Sequence, residues 1–314
     1  MFSISVLLTE GQIRTEILAA IRERRFPEKF LYCSPGSASA WLDLCRSETY
    51  LEYLRRLTTL IDRSAGLLQE TGRRAGEVVS LGCGDGTREI PILEACARSG
   101  EAPSCVAVDA SQWLLEAALA RTKRAGYRAR GIKADLTDPA HLKQIAAEGG
   151  SGPRLYTLLG NTLGALDHGG FLPSLGSCLG PEDLLVVDSE IFTPGPAMPS
   201  HLSPENKEAL AGPLRSLGIE EDDGDLIFTL IEEPEQRGLY SLRKQFGAAR
   251  QIDLRFESAV VRLGREERLD LGYVCRYSKE AFDEVLRGGA GLEIEREFAS
   301  DDGSFVLAVA RRSV

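Results

Sequence analysis

One stretch constrains the fold more than any other. In EVVSLGCGDGTREIPILEACARSG, a β-branched apolar run leads into a glycine-rich turn and then into an amphipathic stretch ending at Gly100. A period-2 apolar run followed by a helical period predicts strand, loop and helix in that order. The unit recurs in SCVAVDAS with QWLLEAALARTKRAG, and again in RARGIKADLTD with a helix around His141 to Ala147. RLYTLLGNTLGAL and DLLVVDSEIF supply two more buried-strand candidates. Strands alternating with helices imply a parallel sheet covered on both faces.

The flanks break this rhythm. From Thr9 to Arg25, Ile13, Ile17, Ala20 and Ile21 recur at helical spacing. Trp41 to Leu60 repeats the pattern, with FLYCSPGS between them predicted as a loop. From Pro194 to about Cys275, TPGPAMPSHLSP holds four of the 14 prolines, and RQIDLRFESAVVRL and ERLDLGYVCRYS alternate like antiparallel strands. A helix from Lys279 to Leu286 and the strands GLEIEREFA and SFVLAVARR complete a sheet of seven strands ending in an antiparallel hairpin. The expected boundaries are 1–65 for an N-terminal helical part, 66–193 for the core, 194–275 for an inserted α+β part and 276–314 for completion of the core.

Charge excludes some partners. Forty-seven acidic residues against 37 basic ones give a formal charge of -10. Such a surface disfavours nucleic acid and anionic membranes, and Arg22, Arg24 and Arg25 are interleaved with Glu23 in a solvated face. No run approaches the ~20 apolar residues that span a bilayer, so a cytoplasmic location is expected. The seven cysteines form no CxxC pair and suggest neither a zinc site nor a disulfide framework; no metal is expected. Cys83 is expected to be inert in its turn, and His168, in ALDHGG, to be a polar loop residue beside a helix. Oligomeric state is not legible.

The chemistry is carried by the turn and by two acids. Gly82, Gly84 and Gly86 let the chain reverse at a strand end and a ligand approach the backbone. Asp109, at the tip of the second strand with Ser111 after it, suits two ribose hydroxyls; Asp135, at the tip of the third, suits an adenine amine. A dinucleotide fingerprint calls for a third glycine at position 87, opening the helix under a pyrophosphate, and Thr87 stands there. Arg88 can instead pair with a carboxylate. Together these point to S-adenosylmethionine (SAM). The alternative is that the glycines only make a turn and the aspartates only cap helices.

These residues resemble the SAM-dependent histidine Nα-methyltransferases of ergothioneine biosynthesis from about Phe30 to the C-terminus. FLYCSPGSASAWLDLCRSETY, LGCGDGTR, LLGNTLGALD, RQIDLRF, RYSKEAF and DDGSFVLAVARR carry the resemblance. It implies a Rossmann-like methyltransferase sheet, with a substrate domain built from the N-terminal helices and the insertion. By position it implies cofactor contacts at Gly82, Arg88, Asp109, Asp135 and Leu136, and a turn beneath the sulfonium at Gly160, Asn161 and Thr162. Tyr32 and Tyr50 match or lie near substrate-side tyrosines, with Tyr32 and Asn161 as the catalytic candidates. The chain departs from the family pattern at Ala165, where an amino-acid-binding Asn is expected, and at Gly272 and Val274, where an imidazole-recognising Glu and Ser are expected. Tyr273 can supply a new wall, and alternation along the strand as readily makes it core. A small-molecule acceptor other than histidine follows, most simply the amine of an amino acid or a derived metabolite. An O- or C-methyltransferase, or a SAM-binding module without catalysis, is the alternative.

Overall fold

The computed structural model describes residues 2–72, 75–98, 102–150, 152–192 and 204–313. The boundary expected at Pro194, and most of the proline-rich segment after it, lie outside them.

The main sheet has eight strands in the order β1-β4-β3-β2-β5-β6-β13-β12. They are β1 (Ile4–Val6), β2 (Glu77–Leu81), β3 (Ser104–Asp109), β4 (Ala129–Lys133), β5 (Arg154–Leu158), β6 (Leu184–Glu190), β12 (Leu292–Ala299) and β13 (Phe305–Arg312). The run from β1 to β6 is parallel, and β13 and β12 close it antiparallel. The seven expected strands are all present. The eighth, β1, was not foreseen: three residues are too few to show a period, and ISV gains its strand character from pairing with Gly131 to Lys133 of β4.

Successive side chains of a strand point to opposite faces, and each face has its own core. Val79, Leu81, Val306 and Ala308 pack toward α7 (Pro139–Ala147), α8 (His168–Cys178) and α10 (Lys279–Ala290). Val78, Phe305 and Leu307 pack toward α3 (Glu48–Arg63), α4 (Ala65–Gly72) and α5 (Glu89–Ala97). α6 (Gln112–Arg124) lies on β3 and β4.

A second, three-stranded antiparallel sheet joins β7 (Gly224–Glu232), β8 (Leu239–Ala248) and β11 (Arg268–Tyr277), beside a hairpin of β9 (Ile252–Phe256) and β10 (Ala259–Leu263). Its core is shared with α1 (Glu10–Arg22) and α9 (Pro204–Ser216). The helix expected from Trp41 to Leu60 is two helices, because Ser47 caps α3 by accepting the Tyr50 amide at 3.3 Å. The preceding α2 (Pro35–Leu44) begins inside the expected loop, where Ser34 and Ser37 form a capping box and Pro35 takes the first helical position.

The sheet order reverses between β2 and β5. In open α/β sheets, ligands bind outside the carboxyl ends of the strands at such a reversal.

Candidate functional site

A cavity of about 490 Å³ opens at that reversal, within the size range of small-molecule sites. Its floor comes from strand ends: Gly82 and Gly84 after β2, Asp109 closing β3, Asp135 and Leu136 after β4, Gly160, Asn161 and Thr162 after β5, and Glu190 closing β6. Tyr32, Trp41, Tyr50 and Tyr53 face it from the N-terminal helices, and Phe228, Leu242, Lys244, Val274 and Arg276 from the second sheet.

The turn after β2 needs its glycines for three separate reasons. Gly82, Gly84 and Gly86 all have positive φ, where a β-carbon is strained. A β-carbon on Gly82 would stand 2.9 Å from Thr162 Cγ2, closing the gap to the loop after β5. Gly86 does not line the cavity. Its role is packing, since a β-carbon there would meet Ala118 Cα of α6 at 2.8 Å.

Asp109 is held by two backbone donors, the amides of Gly84 and Ser111, each at 2.9 Å. Burial pushes its carboxyl up, and these bonds pull it back down. Ser111 is not on the cavity wall either. It caps α6, and its hydroxyl donates to the Tyr32 carbonyl at 2.6 Å, fixing that tyrosine against the turn. Asp135 accepts from the amide and hydroxyl of Thr137 at 2.8 and 2.6 Å and pairs with Lys29, which also meets Glu16 at 2.9 Å. Lys29 therefore reaches from the N-terminal segment to the third-strand acid.

Arg88 is not a surface charge. It is 3% exposed, and its guanidinium donates to the carbonyls of Leu159 at 2.7 Å and Gly82 at 3.1 Å, joining the two loops of the reversal. Gly160 is required beside it, because a β-carbon there would collide with Arg88 Nη1. Asn161 sits in the left-handed region at φ 56°, with its amide donating to Asp188 Oδ1 at 3.1 Å. That conformation costs energy unless the surroundings hold it, and Asp188 supplies the hold.

On the opposite wall the rings of Tyr32, Trp41, Tyr50 and Tyr53 follow one another at centroid distances of 4.8, 6.0 and 5.6 Å. Burial raises the phenols of Tyr32 and Tyr50, so both keep their protons. Ala165 and Val274 lie on the wall, but Tyr273 does not: it neighbours Val274 on β11, points to the other side and packs against the main core. A β-bulge between Asp270 and Tyr273 leaves Gly272 at φ 85°. A β-carbon on Gly272 would stand 2.7 Å from Glu28 Oε2, so Glu28 fills the corner that a side chain at 272 would take. Glu28 pairs with buried Lys244 and accepts the Tyr273 amide at 3.1 Å. Burial raises its carboxyl, and Lys244 offsets part of that.

Sequence reasoning did not find Trp41, Tyr53, Glu28, Lys244 or Arg276. Aromatics and paired charges on amphipathic elements carry no signal that separates cavity from core. Cys83 is fully buried, with burial raising its thiol well above the ordinary range, as suits an inert side chain. His168 lies behind the cavity, its Nε2 bonded to the Tyr277 hydroxyl at 2.7 Å. Among the described residues no cluster of side chains could hold a metal, and no helix is long and apolar enough to cross a membrane.

The glycine cradle and two unpaired buried donors on its rim, Trp41 Nε1 and Arg88 Nε, leave room for an adenosine ligand with a charged tail. Comparison with known proteins bears on what that ligand is. Residues 13–190 match the model of a family described as histidine-specific methyltransferases, SAM-dependent. No curated protein matches the sequence. Similar solved structures include a S-adenosylmethionine-dependent methyltransferase from Clostridium acetobutylicum ATCC 824, at 14% identity and a TM-score of 0.43, covering 83% of this chain and 92% of that one. Another is the 1,6-didemethyltoxoflavin-N1-methyltransferase of Burkholderia thailandensis, at 12% identity and a TM-score of 0.47, covering 96% and 91%. At that distance neither says anything of the acceptor.

Proposed function

This chain belongs to the family of histidine-specific, SAM-dependent methyltransferases, and from that premise we propose that it methylates the amine of an amino acid or an amino-acid-derived metabolite other than histidine. That it is a SAM-dependent methyltransferase follows from the family. The acceptor and the roles of individual residues are our reading.

In that reading Gly82, Gly84 and Asp109 take the ribose, Asp135 and Leu136 the adenine, and Arg88 the methionyl end, while Gly160, Asn161 and Thr162 lie under the sulfonium. When bound, SAM supplies a methyl carbon already activated for in-line displacement. The chain's part is then alignment and exclusion of water. Tyr32, Ala165 and Val274 would shape the acceptor's side. Residues 1–65 and 194–275 are read as the acceptor half and 66–193 with 276–314 as the cofactor half, except that β1 belongs to the cofactor sheet.

The observation that carries the exclusion of histidine is the corner at Gly272. The resemblance calls for polar recognition at positions 165, 272 and 274, and this chain has Ala, Gly and Val there. The carboxylate nearest that corner, Glu28, comes from a different element and is engaged by Lys244 and the Tyr273 amide. A site built for hydrogen bonds discriminates strongly, and removing its partners removes that recognition.

Incubating the protein with SAM and a panel of amino acids, amines, phenols and carboxylic acids, read by mass for one added CH₂, tests this. Turnover confined to amines supports it. Histidine turned over as well as the best acceptor overturns the exclusion, and methylation of phenols or acids alone favours an O-methyltransferase.

A further inference from the structure

An apolar strip on the second sheet leads to a buried ion pair. On the face turned to the cavity, Val274 of β11 stands opposite Leu242 of β8, and Lys244, two residues further along β8, stands opposite Phe228 of β7. Lys244 pairs with Glu28, which comes from the 3-10 turn Glu28–Phe30 and also lines the cavity. The loop read as lying under the sulfonium borders the other end of the strip. A β-carbon on Gly164 would stand 2.7 Å from the carbonyl of Cys275, next to Val274. Lys244 is therefore one pleat repeat beyond Leu242, about 7 Å further from that loop along the strand.

The pair is not closed on itself. Glu28 takes Lys244 on one oxygen and the Tyr273 amide, at 3.1 Å, on the other, and each carboxylate oxygen has a further lone pair. An ammonium has three donors, and Glu28 takes one of those on Lys244. A buried ion pair needs such remaining sites filled to offset its desolvation. Because the two charges touch, a full charge of either sign brought to them meets its like at close range. A neutral group that accepts from Lys244 and donates to Glu28 meets neither. Its accepting and donating atoms must lie on one edge and point the same way, as the oxygen and an N–H of a primary carboxamide do. The two nitrogens of an imidazole point away from each other, so a histidine ring reaches only one member of the pair.

We propose that Glu28 and Lys244 together select an acceptor whose far end is a carboxamide, carried on a few carbons from the amine that is methylated. This rests on the amine reading above and names the acceptor's other end. Leu242, Val274 and Phe228 pack the stem. Glu28 and Lys244 touch the acceptor away from the transferred methyl, so they govern which acceptor is held and leave the displacement itself to the cofactor half. Glutamine is the simplest compound with these parts.

Methylation of the α-amine of glutamine, glutamate, ornithine and methionine, which share a stem and differ at the far end, tests this in the full-length protein with SAM. In wild type, kcat/KM for glutamine should exceed each of the others at least about tenfold. Lys244→Met leaves the acid and should shift preference toward ornithine, whereas Glu28→Gln leaves the ammonium and should shift it toward glutamate. The double variant, which strands no charge, should bring glutamine and methionine level, and it decides if either single variant fails to melt cooperatively. Wild type that prefers glutamate, ornithine, methionine or an amine with no carboxamide overturns the proposal, as do variants that keep the wild-type order. In each of those cases the amine reading stands. Methylation of phenols or carboxylic acids with no amine methylated refutes the amine reading, and the role of the pair with it.

Discussion

The Tyr53 hydroxyl donates to Asp188 Oδ2 at 2.5 Å, bonding α3 to the end of β6. The other oxygen of the same carboxylate holds the left-handed Asn161 through its amide. Asp188 is fully buried, and burial raises its carboxyl while Tyr53 and the loop amides stabilise the charge. One side chain thus joins the N-terminal helices to the loop at the sheet's reversal.

Tyr53→Phe removes one of those donors and leaves the ring. Loss of a hydrogen bond to a buried charged group should cost about 1–3 kcal/mol, read as a lower urea midpoint at unchanged slope. An unchanged midpoint would show that the loop amides satisfy Asp188 by themselves.

Gly86→Ala should be more damaging than its size suggests. The new methyl meets backbone, Ala118 Cα, at 2.8 Å, and the residue stays at φ 78°. Overpacking and left-handed strain together predict a loss of at least about 2 kcal/mol. Gly126→Ala is the control: its φ is also positive, at 90°, but no atom lies within 4 Å of the added methyl. Thermal melts of the two should separate clearly, and equal losses would assign the cost to backbone strain alone.

The Glu28 and Lys244 pair is buried, with side chains 18% and 9% exposed. Glu28→Gln leaves a buried ammonium without its counter-charge, a change that typically costs about 3–5 kcal/mol. Adding Lys244→Met should recover part of that loss. If the double variant is the sum of the two singles by urea unfolding, the residues do not act as a pair.

His168 gives a pH dependence of definite sign. Burial lowers its pKa, so the folded chain keeps the ring neutral while the unfolded chain takes up a proton below about 6.5. Its contribution is complete above that value and is lost as pH falls toward the folded value. The buried acids Asp109, Asp188 and Glu28 act oppositely, since their raised values favour the protonated folded form. Wild type should therefore lose stability relative to His168→Gln between pH 7.5 and 5.5. Parallel pH curves for the two proteins would refute this.

The parts legible from sequence were those with a period or a punctuation mark. β2, β3 and β4, with their acids and glycines, follow from alternation and from residues at strand ends, and the final hairpin from two runs around DDGS. What failed depended on tertiary context. β1 is a strand only because β4 offers it an edge, and Ser47 breaks a helix that the apolar spacing carries straight through. Tyr273 reads from sequence as either a wall or core, and its neighbours on β11 decide it: Val274 takes the cavity side and Tyr273 the main core. Trp41 gave no signal, because a tryptophan on an amphipathic helix is ordinarily core; only its unpaired indole nitrogen sets it apart.

The ends of the main sheet bear on how this protein meets copies of itself. An open β-edge is a template for adding strands from other chains. Here β1 presents three residues on one side, too short a template to seed a continued ladder. On the other side β12 carries Glu293, Glu295, Arg296 and Glu297, and a bulge between Ile294 and Arg296 bends it out of register. Both borders are built to end the sheet. Strand addition from a second copy is disfavoured at either end of this sheet.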